Sequence, residues 1–415
     1  MKTVTGWLTI ETIAVTVPIF MAWNVGTGEP TTLWSNLLVI TGSQAATTLV
    51  VAVLFASRFK AITSTIGIDA AIGIHRVLGS AAVLFIFIHL FAVVADYPFN
   101  AWLIDIFQAP ARAVAGTSAL IILLLMVFFA NEEKQQYEMW RWVHRASALA
   151  VFAFIAWHII GLDQLINSVP WLILFSTLAV SVLALIVSRW VRARRHPRFL
   201  VSNIYPESAT ASTVCLRPLT HSFEFSAGQF AWVRLTKSPW SEDHPFTICS
   251  SEYDSIVRIT FRHLGDWTQG PMAELRPGRI VRLDGPHGAM SLSHIPQDRS
   301  LALIAVGVGM TPVMSILRTL ADEEDTRNIA VFVSPQEDLF TVELMELRKR
   351  LLNMEIYPIV NRPITRTSFR QSIEEPSEWF YLVCGPPSMV IDCKAALMDL
   401  FVPESRILTE QFEII

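Results

Sequence analysis

Apolar runs of about twenty residues, the length that crosses a bilayer, recur through the first 190 positions of this 415-residue chain. They fall near 7–23, 34–55, 71–95, 113–130, 143–162 and 169–190, and predict six membrane helices. The first run is the weakest, since it contains Glu11 and Pro18. It lacks the basic cluster and the small-residue cleavage site of a signal peptide. Past the basic stretch 192–198 the rhythm changes. Short alternating segments near 199–205, 213–218, 229–236, 245–250, 256–262 and 279–284 predict a small antiparallel barrel, with a helical insertion at 266–276. From about residue 300, segments 301–306, 312–322, 329–333, 341–352, 354–359, 379–384 and 387–400 alternate strand with helix. That is the pattern of a parallel α/β domain. The expected fold is an all-α six-helix membrane bundle over 1–195, an antiparallel β-barrel over 196–297 and an α/β domain over 298–415.

Charge follows the same division. Residues 1–190 hold 9 Lys+Arg and 9 Asp+Glu, against 23 and 27 in the remainder. Such asymmetry excludes one uniform fold, a disordered chain and a nucleic-acid binder with a basic body. Cys215, Cys249, Cys384 and Cys393 all lie in the charge-rich part without framework spacing, which argues for reduced thiols on a cytosolic side rather than a disulfide scaffold. Lys2, Arg58, Lys60, Lys134, Arg141 and the arginines of 189–198 fall on one side of the predicted bundle. Arg112, Glu29, Asp96, Asp105 and Asp163 fall on the other. The positive-inside rule then puts both termini and the charge-rich part in the cytosol of a multi-pass cell-membrane protein.

Four of the ten histidines precede residue 190, and they change the picture most. His75 and His89 lie on the third run, His144 and His158 on the fifth, each pair separated by 14 residues. Fourteen residues at 100° fall only about 40° short of four turns, so both members share a helix face, roughly 21 Å apart along the axis. The two runs cross in the same direction, so His75 can face His144 near the cytosol and His89 can face His158 near the outside. Ionisable groups in a bilayer are costly and usually functional. Two facing imidazoles at each of two depths suit a bis-histidine haem at each, stacked as an electron path. A proton relay is the rival; a shared di-metal centre is disfavoured by the axial separation. Arg76 and Arg145 each follow a cytosolic-side histidine, placed to meet haem propionates or to snorkel to the interface. Arg112 has the same two readings at the outer side.

The charge-rich part carries four short motifs. His244-Pro245-Phe246-Thr247 opens a barrel strand, and its Phe246 can flank an isoalloxazine ring. Arg262 precedes Gly265-Asp266-Trp267-Thr268, a basic residue and a glycine at a helix start, suited to a diphosphate. Gly307-Val308-Gly309-Met310-Thr311-Pro312 follows an apolar strand and opens a helix, with Pro312 suited to the first helical position. Cys384-Gly385-Pro386-Pro387-Ser388-Met389 ends a later strand, where Gly385 lets backbone approach closely and Cys384 can touch a nicotinamide. Each motif alone is also compatible with an ordinary turn.

With Trp140-Arg141-Trp142-Val143-His144-Arg145 and the ending Glu410-Gln411-Phe412, these motifs resemble the NADPH oxidase and ferric reductase superfamily, most of all its bacterial oxidases. The resemblance runs over essentially the full length, in the family's order. It implies two b-type haems held by His75, His89, His144 and His158, an FAD-binding barrel and a ferredoxin-reductase-type nicotinamide domain. It also implies that Phe412 stacks on the flavin and yields when the nicotinamide docks beside Cys384. A hydride would pass from NADPH or NADH to FAD, then single electrons through the haems to dioxygen, giving superoxide. Ferric-chelate reduction is the alternative acceptor chemistry, and a nucleotide-regulated transporter or an electron donor to another membrane protein are further ones. No acid–base dyad is expected. No EF-hand loop stands in the sequence, so activity without an obligatory protein activator is expected.

One departure yields a prediction. After the second strand of the nicotinamide domain, where oxidases that prefer NADPH carry a cation, the chain reads Val333-Ser334-Pro335-Gln336-Glu337-Asp338. Ser334 remains a contact candidate, but the two acids repel a 2′-phosphate and can accept a ribose hydroxyl. A relaxed preference, or one for NADH, is expected unless Arg362 or Arg366 reaches across. Steady-state rates favouring NADPH by more than tenfold would overturn this.

Overall fold

The computed structural model describes residues 16–21, 33–96, 102–103, 105, 107–130, 137–219, 223–236, 241–334, 339–359 and 365–411. The chain divides into two compact units, Met1–Val191 and Arg192–Ile415. In the first unit the helices are α1 (Leu33–Phe55), α2 (Lys60–Ile66), α3 (Ile68–Asp96), α4 (Ala111–Ala130), α5 (Tyr137–Ile160), α6 (Asp163–Ile166) and α7 (Val169–Arg195), whose last residues enter the second unit. Among the described residues five helices are long and apolar enough to cross a membrane, namely α1, α3, α4, α5 and α7. Of the first predicted span only 16–21 is described, and it is helical; the rest lies outside the described residues. α1 packs along α3, and α4 along α5.

With no water at bilayer depth, polar side chains there must find partners within the helices. Buried Thr41 and Thr47 of α1 do so on their own helix, donating to Leu37 O at 2.7 Å and Ser43 O at 2.8 Å. Leu49 of α1, Ala82 of α3, Leu123 of α4 and Val151 of α5 form one apolar cluster that ties the helices together.

The second unit opens with strands β1 (Arg198–Ser208), β2 (Ala211–Pro218), β3 (Phe230–Arg234), β4 (His244–Thr247), β5 (Val257–Arg262) and β6 (Ile280–His287). Their sheet order is β4-β3-β6-β1-β2-β5, antiparallel throughout. An Ile248–Ile259 bridge joins the two ends of the order. The sheet therefore closes as a barrel around Phe199, Val214, Leu216, Ile259 and Leu283. The helical insertion expected at 266–276 shrinks to α8 (Asp266–Gln269) and turns. Gly270 and Pro271 follow it, and a proline breaks the helical hydrogen-bond ladder.

The α/β part comprises β7 (Leu301–Ala305), α9 (Met310–Asp322), β8 (Ile329–Val333), α10 (Thr341–Arg350), β9 (Met354–Pro358), α11 (Arg366–Arg370), β10 (Phe380–Gly385), α12 (Pro387–Met398) and β11 (Ile407–Gln411). The parallel order is β11-β10-β7-β8-β9. Leu301, Leu303 and Ala305 feed the core on one face, Ala302 and Ile304 the core on the other. A sheet covered on both faces reads as a continuous apolar run, as 301–306 does. Pro312 stands in the first turn of α9 rather than at its first residue, after a 3-10 turn over Gly307–Gly309.

Helix α9 also fastens the barrel to the α/β sheet. Ser315 Oγ donates to Ser250 O at 2.7 Å, and Glu252 N donates to Thr319 Oγ1 at 3.1 Å. Arg318, 4% exposed, donates to Cys249 O and makes two parallel bonds to Glu343 at 2.7 and 2.6 Å. Burial alone would raise the Glu343 carboxyl, but the Arg318 hydrogen bonds and charge override it and lower its pKa. A depressed carboxylate stabilises the fold above the ordinary carboxylate range, and that stability fades as pH falls through the folded value. Arg318→Met leaves Glu343 unpaired, and thermal or urea unfolding should show a loss of about 3 kcal/mol. Glu343→Gln should flatten the acid limb of the stability profile.

Candidate functional site

In the first unit, α3 and α5 bring the four histidines together in the expected pairs. The ring centroids of His75 and His144 are 6.1 Å apart, those of His89 and His158 6.2 Å. Three of these rings are fixed by a backbone carbonyl on a neighbouring helix. His75 Nδ1 lies 2.9 Å from Ala52 O, His89 Nδ1 2.9 Å from Leu38 O and His158 Nδ1 2.8 Å from Arg112 O. A carbonyl can only accept, so each Nδ1 carries the proton and each Nε2 keeps its lone pair. His144 is held differently: its Nδ1 has no partner among the described residues, and its ring stacks on Trp140 at 5.1 Å and 25°.

This arrangement fits a metal between the rings. Metal–nitrogen bonds of about 2 Å on either side, plus about 1 Å from each nitrogen to its ring centre, separate centroids by about 6 Å. Among the described residues no three His, Cys, Asp or Glu side chains gather to hold an ion. Each pair therefore offers two nitrogen donors among the described residues, which fits a group that would bring the rest of its coordination with it, as a haem does. Two glycines that the sequence did not single out make room for one pair. A Cβ on Gly42 would sit 2.9 Å from His89 Nδ1, and one on Gly116 2.9 Å from His158 Nδ1. Small residues inside apolar spans mark close helix packing, and that signal was available in the sequence. Arg76 is exposed and Arg145 half-buried, while Arg112 Nη1 donates to Gly161 O at 3.4 Å.

In the barrel, His244 and Phe246 lie two residues apart on β4 and present both rings to Trp267 of α8. The stacks measure 4.3 Å at 29° and 5.7 Å at 22°. Pro245 points the other way and is exposed. Thr268 Oγ1 accepts the N–H groups of Gly265 at 3.0 Å and Leu264 at 3.1 Å, holding the turn into α8. Arg262 donates to Thr210 Oγ1 at 3.1 Å. Two features leave space for a ligand here. A Cβ on Gly265 would meet nothing within 4 Å, and the buried Thr247 Oγ1 has no partner among the described residues. The open glycine turn and the unsatisfied hydroxyl each leave room for a polar ligand, as a dinucleotide such as FAD would need.

In the α/β sheet, strands β8 and β9 lie on one side of β7, β10 and β11 on the other. The order therefore reverses between β7 and β10, the point where open parallel sheets bind ligands. Both motifs stand there. Val306 N donates to Cys384 O at 3.2 Å, and a Cβ on Gly309 would fall 2.2 Å from the same oxygen. Thr311 Oγ1 donates to Val308 O at 2.7 Å, filling an acceptor that Pro312, without an N–H, cannot use. Pro386 caps α12 with Pro387 at its start. A Cβ on Gly385 would reach within 2.8 Å of Met389 Cε. Ser334 follows β8, the next strand. Cys384 is fully buried, and burial, with Glu410 adding to it, pushes its thiol well above the usual range. Phe412, residues 335–338 and Arg362 lie outside the described residues.

Three family models match along the chain. Residues 41–155 match the ferric reductase like transmembrane component, 205–291 an FAD-binding domain and 303–395 an oxidoreductase NAD-binding domain. The chain is 27% identical over 164 residues to a superoxide-generating NADPH oxidase heavy chain of Dictyostelium discoideum, covering 35% of this chain and 23% of that protein. It is 33% identical over 121 residues to probable respiratory burst oxidase homolog protein I of Arabidopsis thaliana, covering 24% of this chain and 13% of that one. The alignments thus span under a quarter of these curated relatives. Both are eukaryotic, so they lend no support to a special likeness to bacterial oxidases. A flavohemoglobin from Malassezia yamatoensis with bound FAD and heme shares the fold at a TM-score of 0.50 and 16% identity, over 91% of this chain and 96% of that one. Matched domains and relatives together support the NADPH oxidase and ferric reductase superfamily.

The contact between the two nicotinamide-side turns is testable. Gly309→Ala drives a methyl into a backbone carbonyl that cannot retreat, at a cost of about 3 kcal/mol. Unfolding of the charge-rich unit should shift accordingly, whereas Gly265→Ala, with open space around it, should leave the midpoint unchanged.

Proposed function

We propose that the chain is a transmembrane NAD(P)H oxidase, taking electrons from NAD(P)H on the cytosolic side and reducing dioxygen to superoxide on the outer side. The observation that carries this reading is the pair of facing imidazole couples, joined in one polypeptide to FAD-binding and NAD-binding domains. When bound, FAD accepts the hydride of NAD(P)H as an electron pair, and the two haems relay its electrons singly to the acceptor. The division is 1–195 for the haems, 196–297 for FAD and 298–415 for the nicotinamide.

The residues of the chain hold, orient and exclude. His75 and His144 would hold one haem iron and His89 and His158 the other; the Ala52, Leu38 and Arg112 carbonyls fix three of the rings through Nδ1 and leave each Nε2 available. Arg76 and Arg145 are placed next in sequence to one couple to meet carboxylates of that haem. His244, Phe246 and Trp267 form an aromatic wall for the flavin, Thr247 offers a hydroxyl, and Arg262 with Gly265 and Thr268 takes the diphosphate. Gly307, Gly309, Thr311 and Pro312 shape the nicotinamide-side turn against Cys384, Gly385, Pro386 and Met389. By the family resemblance Phe412 would stack on the flavin and yield when the nicotinamide docks, and Cys384 would contact that nicotinamide.

Ferric-chelate reduction is the second reading, favoured by the match of residues 41–155 to a ferric reductase like component. The test has two parts. The purified protein should show a low-spin b-type haem spectrum, and each of the four His→Ala variants should lose part of it; a spectrum intact in all four sinks the reading. NAD(P)H-dependent superoxide should persist with iron chelated and vanish with superoxide dismutase. Iron-dependent turnover without superoxide selects the ferric reductase instead.

A further inference from the structure

The segment that leaves the last membrane helix forms a cationic hollow that neither the histidine pairs nor the nucleotide-binding edges use. A cavity of about 320 Å³ is lined by Arg194, Arg195, His196, Pro197, Arg198 and Arg282. No carboxylate belongs to this lining among the described residues. The cations come from two distant stretches of chain. Arg282 of β6, 88 residues beyond Arg194, donates from Nη1 to Arg194 O at 3.4 Å and His196 O at 3.3 Å, which holds its guanidinium at the end of α7. Arg198 and Arg282 also face each other directly in the β1–β6 ladder. Like charges in directly opposed strand positions destabilise a sheet. Of the acids nearby, Asp284 Oδ1 lies 3.4 Å from His196 Nε2 and 3.3 Å from His287 Nε2, and Asp243 pairs with Arg234 at 3.1 Å.

Arginines at the end of a spanning helix have two ordinary causes, the helix dipole and the charge bias of cytosolic loops. Those causes account for Arg194 and Arg195. Neither calls for Arg282 from a remote strand, or for its direct opposition to Arg198. Arg198 set directly against Arg282, with no carboxylate in the lining among the described residues, calls for an anion.

We infer that this hollow holds the phosphate headgroup of an anionic phospholipid. Its lining begins with the last two residues of α7, a helix long and apolar enough to span a membrane, so chain connectivity sets the cations at the depth of the headgroups. Guanidinium groups present paired N–H donors that match phosphate oxygens. The bilayer supplies such phosphates at high local concentration, which favours a lipid over a free anion.

The full chain with its cofactors is placed in nanodiscs of phosphatidylcholine alone or mixed with phosphatidylglycerol, and retained lipid is counted by native mass spectrometry. Phosphatidylglycerol should be retained selectively by the wild type. Arg198→Gln and the double variant Arg195→Gln/Arg198→Gln leave both Arg282 backbone bonds in place, and each lost cation should weaken retention about fivefold. Melting temperature and FAD affinity should stay at wild-type values, and inorganic phosphate should not compete. Arg195→Gln alone carries the test if the Arg198 variants do not fold. Equal retention in wild type and variants overturns the proposal, as does retention abolished by inorganic phosphate. A variant that loses FAD affinity while keeping the lipid would assign the hollow to the dinucleotide, and so overturn it too.

Discussion

An imidazole at bilayer depth has two ring nitrogens to satisfy, and the membrane unit is organised around how that is done. A backbone carbonyl takes the Nδ1 proton of His75, His89 and His158, which leaves Nε2 as the only free lone pair on each ring. The carbonyls belong to α1 and α4, so those helices must lie against α3 and α5 at fixed register. Gly42 and Gly116 allow the approach: any side chain there would displace the ring it faces. Packing of α1 along α3, and of α4 along α5, is therefore part of what positions these imidazoles and not a scaffold separate from them.

The charge-rich unit meets a different constraint, that of bringing two turns to one sheet edge. Placing β10 beside β7, with β8 and β9 on the far side, leaves a crevice at the reversal of strand order. Only glycine at position 309 lets the turn after β7 lie on the carbonyl of Cys384. Helix α9, which grows from that turn, reaches the barrel through Ser315, Arg318 and Thr319. One helix thus couples the nicotinamide-side turn to the flavin-side barrel, and its position is fixed by buried Arg318 paired with half-buried Glu343.

Much of this was legible beforehand, for identifiable reasons. The spans, the barrel strands and the strand–helix alternation follow from periodicity, and the histidine pairing follows from helix geometry alone. What stayed hidden depends on neighbours in space. Strand β11, with Thr409, Glu410 and Gln411 in a row, has a weak pattern and forms because β10 offers it an edge. The insertion at 266–276 has helical periodicity, yet Gly270 and Pro271 end the helix after Gln269. The carbonyl partners of the histidines could not be read at all, since every residue carries a carbonyl and only the packing selects Ala52, Leu38 and Arg112. The glycines facing His89 and His158 were visible as small residues in apolar runs, but their purpose appears only with the rings beside them.

The two couples are not equivalent, and the difference lies in the surrounding shell. Both rings of the His89–His158 couple donate to carbonyls and both rest on glycine. In the other couple, among the described residues, His75 has a carbonyl partner while His144 is held by its stack on Trp140, one helical turn before it. A hydrogen-bonded Nδ1–H makes an imidazole a more basic ligand, whereas a stacked indole fixes the plane of the ring without adding to its basicity. Axial-ligand basicity is one of the levers that set a haem's potential. Four residues of one type would therefore make two unlike centres if each couple holds a haem. On the proposed electron path such an inequality would help set the direction of transfer, and it would arise from backbone packing and one tryptophan, with no change in residue type.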